Sequence, residues 1–90
     1  MKYRIWVDFN NKDEDNNVRL NCLGTIEQIE SEAIPMVEGQ KVVVFCDDDY
    51  EEIMEVEGIL KQVITPPPFQ QKIWIAVVNW DTFKRVKKID

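Results

Sequence analysis

The residues that could do chemistry in this chain are carboxylates and indoles, because the usual catalytic set is almost empty. There is no histidine, Ser31 is the single serine, and Cys22 and Cys46 stand far apart without a base beside either in sequence. Nucleophile–base and triad arrangements therefore have no material to work with. Paired carboxylates remain available among 17 acidic residues, but at that abundance nearness alone selects no pair. Metal chemistry is equally short of ligands. Counted from Asp13, the stretch DEDNN starts like a calcium loop, yet its sixth position is Val18 where glycine is needed and its twelfth is Gly24 where a bidentate glutamate belongs. Two cysteines without CxxC spacing read as reduced thiols. The expectation is a protein that is not an enzyme and needs no cofactor or metal.

Binding is what the remaining side chains offer. Trp6, Trp74 and Trp80 alternate out of phase with the aliphatic residues around them, so they fall on strand faces where polar residues are expected. Such indoles are either covered by a second layer or a second copy of the chain, or offered to a partner. The acidic cluster DDDYEE, beginning Asp47, Asp48, Asp49 and Tyr50, is a candidate docking patch for a basic partner. The formal net charge is −6, and it is unevenly spread. The last ten residues carry +2 through Lys84, Arg85, Lys87 and Lys88, which leaves −8 on the first 80. That body repels phosphate backbones and anionic membranes, so the basic segment supplies an alternative nucleic-acid contact rather than the leading one.

These groups must be held by a small, single core. Ninety residues suffice for one domain, with 44% hydrophobic and 31% charged residues in the proportions of a globular protein. The first residues show no leader pattern and no apolar run approaches membrane-spanning length, which points to the cytoplasm. Residues 3–9 alternate in period two and predict a strand with one buried face. Residues 10–17 (NNKDEDNN) contain no apolar side chain and predict a long exposed loop. A second strand follows at 18–22.

Residues 25–34 predict a short helix, with a continuation of the second strand as the alternative. Ile26, Ile29 and Ala33 share a face, Thr25 and Gln28 have capping-box spacing, and Pro35 stands just beyond. The run KVVVFC at 41–46 predicts a strand buried on both faces. A fourth strand is expected over 53–64 with a bulge at Gly58, then a stiff proline turn at 66–69, then a fifth strand over 72–80. Asp81, Thr82 and Phe83 read as a tight turn before a last edge strand at 84–89.

Five or six curled antiparallel strands with one short helix suit a small closed barrel. The order of these strands, with GQKVVV at 39–44 and WIAVVNWDTF at 74–83 before a final strand, resembles the SH3-like small barrels. The resemblance spans nearly the whole chain. It implies binding of peptides, proteins or nucleic acids in loop-flanked grooves, although the aromatics that peptide-binding members carry in the first long loop are missing from NNKDEDNN. Together these readings describe a cytoplasmic protein-interaction module, with a protein partner or a second copy as its ligand.

Overall fold

The computed structural model describes residues 2–47 and 52–87. It contains β1 (Tyr3–Trp6), β2 (Val18–Arg19), α1 (Leu23–Ser31), β3 (Lys41–Asp47), β4 (Glu52–Ile64) and β5 (Lys72–Lys87). The strands form one mixed sheet in the order β1-β3-β4-β5-β2. The fold is mainly β, as the alternation patterns imply, but the sheet is not closed into a barrel. β1 runs parallel to β3, since the chain returns through β2 and α1 before re-entering the sheet beside β1. Its other edge meets α1, so β1 and β2 remain at opposite ends of an open sheet.

The helix forms slightly earlier than its pattern suggests, and its two presumed capping residues do something else. Cys22 occupies the N-cap without a side-chain bond. Thr25 is fully buried, and its hydroxyl donates to the carbonyl of Trp6. Gln28 reaches the same strand: its Oε1 accepts from the amide of Trp6 at 2.6 Å and its Nε2 donates to the carbonyl of Arg4 at 3.0 Å. One side-chain amide thus imitates a neighbouring strand and closes an edge that would otherwise invite pairing with another chain. The helix stops before Pro35 comes into play. Ala33 turns to φ 51°, with Ala33 N donating to Glu30 O and Ile34 N to Ile29 O, the double bond of a left-handed C-terminal cap.

Several elements differ from their sequence patterns for reasons of pairing. β1 ends at Trp6, because after Val7 N donates to Phe45 O the chain folds over the Asp8 carboxylate and carbonyl into the polar loop. β2 has only Val18 and Arg19, opposite Ala76 and Ile75. β3 is buried on one face, through Val42 and Val44, while Val43 and Phe45 are only half-buried on the other. Gly58 is not a bulge. A Cβ there would sit 3.1 Å from Val77 O and 3.2 Å from Val78 Cγ1, so the glycine permits a close approach of β4 to β5.

The pairing irregularity lies one turn of the pleat away. Glu57 opposes Asn79 and Glu55 opposes Lys84, so β5 spends five steps where β4 spends two. The tight turn expected at Asp81, Thr82 and Phe83 is therefore a bulge inside β5. Thr82 Oγ1 donates to Asn79 O, and Asp81 N donates to Asn79 Oδ1, but the strand resumes against β4. The predicted final strand is the far half of β5, as far as Lys87.

The core lies on the face carrying Ile5, Val42, Val44, Val56, Leu60 and Ala76, with Val18, Leu20 and Ile34 closing it. Each valine, leucine or isoleucine among them contributes about 1.5–3 kcal/mol relative to exposure. Trp74 packs against this cluster, together with Ile29 and Met36. The proline segment forms the turn between β4 and β5, tied by Thr65 N to Gln71 O and containing a cis Pro67–Pro68 bond. No helix is long and apolar enough to cross a membrane.

Two substitutions test these local devices. Gln28→Ala removes both bonds to β1 and is expected to lower stability by about 1–2 kcal/mol. An unchanged urea midpoint would show the edge bonds to be immaterial. Ala33→Gly relieves a left-handed alanine and should raise stability by about 1 kcal/mol, less the extra freedom of glycine in the unfolded chain. A lower melting temperature would contradict the cap assignment.

Candidate protein-interaction surface

The β5 bulge turns two aromatic side chains toward the polar loop. Trp80 and Phe83 lie within it, and both meet Phe9, which follows β1. The three ring centroids are 6.1–6.2 Å apart with tilted or edge-on planes, the geometry that aromatic pairs favour. Trp80 and Phe83 each remain 37% exposed. The cluster is thus a built surface feature with one side resting on the core through Phe9.

The same cluster fixes the loop of residues 10–17. Trp80 Nε1 donates to Asn16 O at 3.0 Å, and the Lys12 ammonium lies 5.6 Å from the indole centroid. Asn16 adopts φ 64°, a conformation asparagine tolerates. Asp13 Oδ1 accepts from the amides of both Asp15 and Asn17, which spends that oxygen on the loop itself. Lys12 also bridges to Val18. Glu14 and Asp15 are left exposed, so a carboxylate-bearing loop adjoins the aromatic surface.

The three sequence-selected tryptophans do not make one patch. Trp6 is half-buried, with its ring 3.2 Å from where a Cβ on Gly24 would stand, so it packs on the first turn of α1. Trp74 packs on the core. Only Trp80 belongs to the exposed cluster. Asp47 ends β3 on the surface, whereas Asp48, Asp49 and Tyr50 lie outside the described residues. Phe9 and Phe83 were not singled out by their spacing. Phe83 follows Trp80 by three residues, but only the bulge makes that spacing bring the rings together.

Lys84, Arg85 and Lys87 lie on β5 across from Glu55, Met54 and Glu52, and Lys88 lies outside the described residues. Lys84 is engaged: its ammonium is 3.5 Å from Glu55, whose other oxygen takes a 2.7 Å bond from Arg4. Arg4 also covers the Phe45 ring at 4.9 Å. Glu55 is only 9% exposed. Burial works against its charged form, but the hydrogen bond and charge of Arg4, followed by those of Lys84, outweigh it and lower the pKa below the usual 4.5. Glu57, fully solvated, is lowered too, first by its hydrogen bond to Lys2.

Among the described residues no group of three or more cysteines and carboxylates is placed to hold a metal ion. No family model, curated protein or solved structure matches this chain.

Because the Glu55 carboxyl has a depressed pKa in the folded state, its stabilising contribution is present above about pH 4.5 and is lost as the pH falls through the folded value. Glu55→Gln should therefore flatten the acid limb of the stability curve, Glu57 keeping part of it. The same change removes the charge that Arg4 and Lys84 share and leaves them one acceptor oxygen in place of two, which is expected to cost roughly 1 kcal/mol at pH 7. Urea midpoints of both proteins from pH 7 to 3 read both effects, and parallel curves would remove Glu55 as the titrating group.

Proposed function

We propose that this chain is a small cytoplasmic protein-interaction module, binding a protein partner through the Trp80, Phe83 and Phe9 cluster and the acidic loop beside it. The observation that carries the reading is the exposed aromatic trio itself. A domain of this size has little apolar surface to spare, yet Trp80 and Phe83, carried by the β5 bulge against Phe9, are each 37% exposed. Aromatic anchors surrounded by polar and charged groups are the usual composition of an interface centre. The loop that Trp80 holds through Asn16 also carries the exposed Glu14 and Asp15, whose charge would speed the approach of a basic partner.

The alternative contact, nucleic acid on Lys84, Arg85, Lys87 and Lys88, draws less support. Lys84 already neutralises Glu55, and Lys87 stands opposite Glu52. Phosphate binding there would compete with these carboxylates.

The test is affinity capture with the wild-type chain and with Phe83→Ser, followed by titration of the recovered partner. Loss of an interface anchor costs about 2 kcal/mol or more, roughly thirtyfold in affinity. Retention of the same partner at equal affinity by a folded Phe83→Ser protein would end the proposal, as would recovery of nothing specific by the wild type.

A further inference from the structure

The sheet covers only one of its faces. On the other, Val43 opposes Glu57, Phe45 opposes Glu55 and Ile59 opposes Val77, and among the described residues no helix lies over them. Two adjoining hollows cross this face, of about 430 Å³ and 210 Å³, and both include Lys2, Glu57 and Thr82 in their walls. The first continues to Arg4, Glu55 and Lys84, and the second to Lys41, Ile59 and Val77. Four cations and two carboxylates thus line one continuous groove, a net +2 on a chain whose total is −6. The rest of the molecule is correspondingly more acidic.

We propose that this groove docks an extended acidic segment of a protein partner, with one carboxylate against Lys41, others competing with Glu57 and Glu55 for Lys2 and Lys84, and an apolar side chain on Ile59 and Val77. Charge complementarity carries the choice of occupant. Lys2 pairs with Glu57, and Arg4 and Lys84 pair with Glu55, which leaves the four cations two charges in excess of the carboxylates beside them. Ile59 and Val77 are 45% and 40% exposed, directly across from one another, and give such a segment an apolar seat.

The shape selects a chain over a small ion. The groove crosses β1, β3, β4 and β5, about 14 Å at the usual strand separation, which matches about four residues of extended peptide. Its cations are spread along that length, whereas a compact phosphate is held by donors converging on one point. Glu55 and Glu57 stand between the cations and would repel the evenly spaced charges of a nucleic acid backbone. A peptide can place its carboxylates only where they are wanted. This surface is lined by different residues from the aromatic cluster, so the proposal stands or falls independently of the partner proposed there.

The experiment is fluorescence anisotropy of a labelled heptapeptide, Gly-Glu-Ile-Glu-Glu-Glu-Gly, against the full chain at low and at physiological ionic strength. Saturable binding is expected, weakening with salt and lost when the four glutamates become glutamines. The double variant Lys41→Gln/Lys84→Gln should bind about tenfold or more weakly. Leu23→Ser, on α1 and outside the walls of both hollows, should bind as the wild type does. Circular dichroism checks each fold, and Lys2→Gln/Lys41→Gln replaces the first double variant if that one fails to fold. The proposal is overturned by absence of saturable binding, by equal binding to a folded double variant, or by tighter binding of an RNA oligonucleotide. It is overturned equally if inorganic phosphate alone displaces the peptide, or if light scattering shows self-association that the double variant abolishes, which would assign the groove to a second copy.

Discussion

The pairing of β4 with β5 is the constraint on which the rest of this molecule depends. Where β4 advances from Glu57 to Glu55, β5 advances from Asn79 to Lys84, and the surplus length cannot stay in the plane of the sheet. Asn79 and Thr82 organise the excess through their side chains, and Thr82 also accepts from the amide of Glu57, so the bulge is bonded to both strands. Its consequences run in two directions. Trp80 and Phe83 are carried outward onto Phe9 and the polar loop. Lys84 is brought into register with Glu55, where it joins Arg4 on one carboxylate and helps to offset the cost of its partial burial.

An open sheet of five strands has two edges and two faces to manage, and this chain treats each differently. One face is filled by aliphatic side chains and α1. The β1 edge is closed by the amide of Gln28 and the hydroxyl of Thr25 rather than by another strand. Beyond Ala76, β5 is outermost among the described strands, and its bulge and its basic residues keep that edge irregular and charged. Among the described residues no helix covers the second face, where opposite charges alternate. The result is a strongly acidic protein with a locally cationic groove, and those two signs lie on surfaces that can be used separately.

Much of this was legible from the order of the residues. The alternation in residues 3–7 and 72–78, the polar run NNKDEDNN, the prolines before the fifth strand and the single helix each report local burial or turn preference, and each appears close to its expected place. Trp80 was singled out, with Trp6 and Trp74, as an indole either covered by a second layer or offered to a partner. Its partners were not, because Phe9 and Phe83 converge through a bulge whose existence depends on register between two strands. Glu55 likewise looks like any other acidic residue until Arg4, 51 positions away, is set beside it.

The sequence by itself determined the class: mainly β, one helix, an acidic body, and no standard catalytic set. Tertiary structure alone decided that β1 lies parallel to β3, that the sheet stays open, and that Thr25 and Gln28 serve the edge of β1 instead of the helix end. The physical reason is common to all three. Side-chain pattern records how much water each position will tolerate, but the backbone donors and acceptors that choose a strand's neighbour are the same in nearly every residue. Which edge pairs, in which direction and with which offset, is settled only when the whole chain competes for those bonds at once.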